Sequence, residues 1–244
     1  MSQTKRICLW SGPRNISTAL MYSFGNRADT AVIDEPFYGY YLSRDHAKEY
    51  HPGAEEVMKS MECNGQQVIQ NLLSNEEKPI LFIKNMPHHI KGLELDFLSE
   101  MKHVLLLREP ADMIRSFVKV IPNPTVKDFG YRDHLKLIVA LNERGINFEL
   151  INSKEILDQP EARLRKLCAA LDIPFSNHML KWKAGPRKED GIWAQHWYSN
   201  VHKSVGFQPI STKTKGNAIP EKFKPILEEL NELYQEITKR TLKQ

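Results

Sequence analysis

The stretch Ile7–Leu20, reading ICLWSGPRNISTAL, constrains this chain more than any other. Ile7 to Trp10 is an apolar run with the composition of a strand, Ser11-Gly12-Pro13 is a tight turn, and Ile16, Leu20 and Phe24 then recur at helical spacing. A strand that turns sharply into a helix presents that helix's unpaired N–H groups at the strand end, where the helix dipole favours negative charge. Here the turn also carries a fixed cation, Arg14, and two hydroxyl donors, Ser17 and Thr18. The chemistry is that of a phosphate-binding loop over Gly12–Thr18. The spelling is not Walker's, because the lysine and second glycine of G-x-x-x-x-G-K-[ST] are both missing. Hydroxyl residues at a helix start also serve as simple caps, so the loop alone leaves both readings open.

The rest of the chain alternates strands and helices. Thr30–Ile33 reads as a second strand, closing on Asp34-Glu35-Pro36, and paired carboxylates at a strand's C-terminal end lie where open α/β sheets place ligands. Residues 37–52 are rich in aromatics (Phe37, Tyr38, Tyr40, Tyr41, Tyr50) without a clear period, fit either to line a pocket or to cover the core. Glu55–Leu73 has helical composition, and Ile80–Ile83 is a third strand ending at Lys84, followed by the loop Asn85–His89. The vicinal His88 and His89 lack the i,i+4 geometry of a helical metal pair, so no metal site is expected. Val104–Leu107 is a fourth strand, with Arg108 at its end and Pro110 at a helix N1 position; Ser116 lies about 9 Å further along that helix. Tyr131–Arg144 is helical, Phe148–Ile151 is a fifth strand, and Pro160–Leu171 is an amphipathic helix continued by Ser176–Trp182. Lys183–Gly216 reads as an ordered loop or lid, and Glu221–Leu242 as a closing helix. With no repeats and no dividing linker, residues 1–244 are expected to form a single α/β domain around a parallel sheet.

Composition narrows the function. A net charge of +4 suits an anionic small ligand and is too weak to argue for nucleic acid. Three widely spaced cysteines read as reduced thiols, no apolar run is long enough for an integral membrane segment, and MSQTKR leaves no room for a signal peptide. A cytoplasmic location is expected. Oligomeric state is not legible.

Two further stretches join the first loop. LLLREPADMIRSF sets Arg108 and Ser116 eight residues apart across a strand–helix junction, and NFELINSKEILDQPEARLRKLCAALDIPF runs from Asn147 to Phe175. Together with Pro13-Arg14-Asn15-Ile16-Ser17-Thr18 they resemble sulfotransferases that use 3′-phosphoadenosine 5′-phosphosulfate (PAPS). In that family a P-[KR]-S-G-[ST]-T loop holds the 5′-phosphosulfate, and R-x-P with a serine eight residues after the arginine holds the 3′-phosphate. The match covers roughly residues 6–175, in order. It implies a P-loop-type, three-layer α/β fold with a mainly parallel sheet of about five strands.

The resemblance also implies roles. Gly12, Pro13, Arg14, Asn15, Ile16, Ser17 and Thr18 would bind the co-substrate together with Arg108 and Ser116. Two separated anion sites, each with donors and an arginine fork, are what a molecule with two anionic ends requires. A sulfuryl group carries less charge than a phosphoryl group, so the Mg²⁺ that serves phosphoryl transfer is not called for. Arg14 would stabilise charge on the leaving phosphate, and Lys84, at the strand end where relatives carry a lysine, would contact the bridging oxygen or sulfuryl group. Cytosolic relatives place a basic histidine two residues beyond that lysine, but position 86 is methionine. Carbohydrate-type relatives carry glutamate before proline after the second strand, so Glu35 is the first candidate base and His88 the second. Ile16 replaces a loop glycine and cannot take a positive φ cheaply. Arg187-Lys188-Glu189-Asp190-Gly191-Ile192-Trp193 loosely echoes the family's R-K-G-x-x-G-x-W, which would bring Arg187 and Lys188 to the 3′-phosphate. The acceptor would be a hydroxyl or amine on a small molecule, carbohydrate or lipid. A nucleotide kinase on the same fold, or a relative that binds nucleotide without turnover, are the competing readings.

Overall fold

The hydrophobic run that opens the chain becomes β1 (Lys5–Ser11), whose last six residues are all buried. A strand covered on both faces must be apolar on both, which is why Ile7, Cys8, Leu9 and Trp10 follow one another without alternation. The structure is a computed structural model that describes residues 4–44, 46–49, 51–118, 121, 123–209 and 219–241. Along the chain, β1 is followed by α1 (Ser17–Gly25), β2 (Thr30–Asp34), α2 (Tyr38–Arg44), α3 (Ala54–Ser60), α4 (Gly65–Ser74) and β3 (Ile80–Asn85). Then come β4 (Lys102–Leu107), α5 (Pro110–Phe117), α6 (Tyr131–Glu143), β5 (Phe148–Asn152), α7 (Ser153–Asp158) and α8 (Pro160–Ala170). Two short helices, α9 (Ala194–Trp197) and α10 (Ser199–His202), precede α11 (Lys224–Thr241).

The five strands form one sheet in the order β2-β3-β1-β4-β5, every pairing parallel. The period-two alternation of the central strand sorts the core into two layers. Cys8 and Trp10 face α4, α5, α6 and α11 through Ile69, Ile114, Ile138 and Leu230. Ile7 and Leu9 face α1, α7 and α8 through Leu20, Phe24, Ile156 and Leu164. The fold is therefore α/β with an all-parallel sheet between helical layers, as expected. A third, smaller cluster (Tyr38, Leu42, Val57, Trp193, Tyr198) joins α2, α3 and the α9–α10 segment.

The strand order positions the site. The chain leaves β1 toward β3 and β2, then crosses to β4 and β5, so a crevice opens at the strands' C-terminal ends beside β1. Register places Asp34 directly beside Lys84, and Ser11 beside Leu106.

Three sequence expectations need correction. The helical stretch 55–73 is two helices, because Asn64 caps a new one, its side chain accepting from the N–H groups of Gln66 and Gln67. Ser176–Trp182 is not a continuing helix but one 3₁₀ turn, Asn177–Leu180, after which Lys181 bridges to Gly206. The loop after Lys183 contains α9 and α10, while Tyr50, 210–216 and Leu242 of the expected segments lie outside the described residues. Among the described residues no helix is long and apolar enough to cross a membrane.

Candidate functional site

The turn after β1 is held in an unusual backbone state. Arg14 has φ of 56°, one of three non-glycine residues with positive φ among the described residues; Glu35, at 44°, is another. Such conformations cost on the order of 1–3 kcal/mol. The third, Asp172 (54°), sits just past α8, where a left-handed residue is an ordinary helix terminus. The other two have no such structural reason and both line one cavity of about 1340 Å³. Ile16, at φ −91°, needs no glycine-like freedom, because the left-handed residue of the loop is Arg14 instead. Gly12 is required for a different reason: a Cβ there would come within 2.8 Å of the Phe129 carbonyl, which closes over the loop.

At this end of the cavity the cations are under-compensated. Helix α1 starts at Ser17 with Ile16 as its N-cap residue, and no side chain caps it. Asn15 is held by donating to the Leu106 carbonyl at 3.2 Å, its own Oδ1 accepting the Ile16 N–H at 2.9 Å. Arg14 Nε is buried with no hydrogen-bond partner. Arg108 Nη1 donates to the Arg14 carbonyl at 2.5 Å, which brings the two guanidinium-bearing residues together. Burial pushes both guanidinium pKa values down, and for Arg108 the nearby Arg14 charge adds to this while Asp112 opposes it. Uncapped and short of partners, these groups have the donor chemistry that favours an anion. Gly12 to Thr18, Arg108 and Ser116 all line the same cavity.

The other end is built oppositely. Lys84 is buried (2% exposed side chain) and donates to Asp34 Oδ1 at 2.8 Å, to Glu35 Oε1 and to the Tyr198 hydroxyl at 2.6 Å. Tyr198 in turn donates to Asp34 Oδ2 at 2.7 Å, and the Gly191 N–H reaches the same oxygen at 3.2 Å. Burial pushes the Glu35 carboxyl up, opposed mainly by the Lys84 charge. Lys84 is itself held well above its ordinary value: Asp34 and Glu35 outweigh the cost of burial. Against Glu35 Oε2, 3.9 Å away, lies Nδ1 of His89, a fully buried ring without a hydrogen-bond partner at that nitrogen. His89 stacks on Tyr38 (centroids 5.0 Å) and Tyr41 (4.9 Å), and burial holds it neutral, its pKa well below the usual histidine range. His88 meets Tyr41 edge-on at 5.0 Å, and Trp193 meets Tyr38 edge-on at 5.2 Å.

The structure thus brings Arg14, Arg108, Ser116, Glu35, Lys84 and His88 around one cavity. Two expectations conflict with it. Arg187 lies against α1, its guanidinium 4.1 Å over the Tyr22 ring and donating to the Tyr22 carbonyl, and Lys188 is exposed beside Glu189; neither lines the cavity. Lys84, meanwhile, has all three ammonium hydrogens engaged within the protein, leaving none for a bound sulfuryl group. Sequence reasoning missed Tyr198 and weighed His89 only as half of a metal pair, not as the neighbour of Glu35. Tyr198 is 114 residues from Lys84, and nothing local marks it. Among the described residues no group of three or more His, Cys, Asp or Glu side chains is arranged to hold a metal ion.

Comparison with known proteins follows the same lines. The profile of the sulfotransferase domain family matches residues 5–217. The branched-chain-amino-acid aminotransferase-like protein 1 of Arabidopsis thaliana is 38% identical over 236 residues, 96% of this chain. The chain spans only 42% of that relative's length. Among solved structures, the sulfotransferase domain of the Synechococcus PCC 7002 olefin synthase superposes with a TM-score of 0.62 at 16% identity, covering 96% of both chains. A retinol dehydratase in complex with retinol and PAP gives 0.52 at 11% identity, covering 96% of this chain and 82% of that one. These two structural likenesses speak for the fold alone.

Proposed function

Because this chain belongs to the sulfotransferase domain family, we propose that it transfers a sulfuryl group from PAPS to a hydroxyl or amine of a small-molecule, carbohydrate or lipid acceptor. The observation that carries this reading is the pairing of Arg14 with Arg108 in one cavity, Arg14 Nε being buried without a partner. The residues present fit the co-substrate: an uncapped helix start, two hydroxyls and two arginines lining one cavity ask for more negative charge than the protein supplies.

When bound, PAPS supplies the activated sulfuryl group and the bisphosphate that departs. Arg14, Ser17, Thr18 and the loop N–H groups bind its 5′ end and stabilise charge there; one preorganised donor of this kind contributes about 2.7–4 kcal/mol. Arg108 and Ser116 bind the 3′-phosphate. Glu35 accepts the acceptor's proton at Oε2, its carboxyl raised by burial against the opposing Lys84 charge and its other oxygen anchored by Lys84. Tyr38, Tyr41 and Trp193 wall the acceptor's approach.

Thermal melts in the presence of adenosine 3′,5′-bisphosphate test the reading. At a hundredfold excess over Kd the bisphosphate should raise Tm by roughly 5–10 °C, and ATP with Mg²⁺ far less. The reverse order would favour a nucleotide kinase. Bisphosphate binding without transfer of labelled sulfuryl to any hydroxyl compound would favour a nucleotide-binding protein without turnover.

A further inference from the structure

Hydrogen-bond capacity around Lys84 is used up. The ammonium has three hydrogens, and Asp34, Glu35 and Tyr198 take one each. A tyrosine hydroxyl can donate once and accept twice; that of Tyr198 donates to Asp34 and accepts from Lys84 and, at 3.2 Å, from Trp193 Nε1. Asp34 receives Lys84, Tyr198 and the Gly191 N–H. In this cluster Glu35 Oε2 alone takes no hydrogen bond among the described residues, with the neutral His89 ring's Nδ1 3.9 Å away. The Glu35 backbone, at φ 44°, is fixed by its N–H to the Lys84 carbonyl (2.8 Å) and its carbonyl to the Tyr38 N–H (2.9 Å).

We infer that Tyr198 is a positioning residue which, by saturating Lys84 and Asp34, anchors one oxygen of Glu35 and leaves Oε2 free to take the acceptor's proton. This rests on the sulfuryl-transfer reading. It gives Lys84 a role through Glu35 rather than on the substrate, and leaves Arg14 as the cation for the reacting end. The groups facing Glu35 are Lys84 from β3, Asp34 from β2, Tyr198 from the corner between α9 and α10, and His89 from the turn after β3. His88 and His51 add to burial in disfavouring a charge on His89.

Removing the hydroxyl deprives Asp34 of a donor and Lys84 of an acceptor, so Lys84 turns toward Asp34 and holds Glu35 less firmly. Carboxyl-¹³C NMR of glutamate-labelled, ligand-free protein, assigned with Glu35→Gln, reads the consequence directly. In Tyr198→Phe the Glu35 midpoint should rise by about one pH unit. The acidic limb of kcat/KM should move up with it, while KM for PAPS and the bisphosphate-induced Tm shift stay as in wild type. An unmoved midpoint and limb, with turnover reduced equally at every pH, would overturn the inference. Should Tyr198→Phe fail to fold, ¹⁵N spectra of wild-type lysine ammonium groups decide. Lys84 hydrogens should be protected from exchange and unshifted by adenosine 3′,5′-bisphosphate, and a freely exchanging or strongly shifted Lys84 signal would sink the idea. Absence of both bisphosphate binding and turnover would instead overturn the sulfuryl-transfer reading, and the ligand-free titration still decides what Tyr198 does to Glu35.

Discussion

The two ends of the cavity treat buried charge in opposite ways. Around Arg14 and Arg108 the protein leaves cations beside each other, an orphaned Nε and an uncapped helix start. Around Lys84 it supplies two carboxylates, a phenol and a complete set of hydrogen bonds. The first end is left short of negative charge; the second is hydrogen-bonded throughout except at one carboxylate oxygen. Binding capacity in this protein is therefore located by what is left unsatisfied, and positioning capacity by what is saturated.

Substitutions at the two ends should separate these properties, and the largest effect is expected at the single open oxygen. Glu35→Gln should lower turnover by roughly 10²–10⁴-fold. Because burial raises the Glu35 carboxyl, its loss should cost the fold less as pH rises. A raised carboxyl stabilises the fold below its unfolded value and loses that contribution as pH climbs through the folded one. Chemical denaturation from pH 4 to 8 should accordingly show Glu35→Gln gaining on wild type as pH rises; a loss at pH 7 would mean that the acidic end depends on both carboxylates being charged.

Lys84→Met tests saturation from the other side. It leaves Asp34 and Glu35 buried without their cation, at a cost of about 3–5 kcal/mol in denaturant midpoints near neutral pH. The deficit should shrink in acid, where the carboxyls protonate. An activity loss without a stability loss would reassign Lys84 to direct substrate contact.

Arg14→Ala is expected to have the smallest of the three effects, about 2.7–4 kcal/mol in transition-state stabilisation measured by kcat/KM. Ligand-free stability should hold or improve, since the variant removes a desolvated charge without a carboxylate partner and relaxes a left-handed non-glycine residue only partly. If Arg14→Ala destabilises the ligand-free protein as much as Lys84→Met does, the contrast between the ends fails.

Much of this could be read before folding. The unbroken run Ile7–Trp10 specified a strand buried on both faces, and the Ser11-Gly12-Pro13 turn specified the uncapped helix start beyond it, because both depend on neighbours in sequence. The Arg108–Ser116 spacing was legible for the same reason: a helix entered through Pro110 carries its serine to a set distance. Element boundaries failed where a single side chain decided them, as when Asn64 ended one helix and began the next.

Local order in the chain thus determined the parallel α/β frame and the placing of the Arg14 loop, since strand composition, turn residues and helix periodicity act over a few residues. Only the tertiary structure decided which groups were satisfied. The sheet register set Asp34 beside Lys84, and the return of α9 and α10 over the strand ends delivered Tyr198 across 114 residues to complete both. Hydrogen-bond saturation is a property of distances between remote atoms, and no pattern along the sequence encodes it.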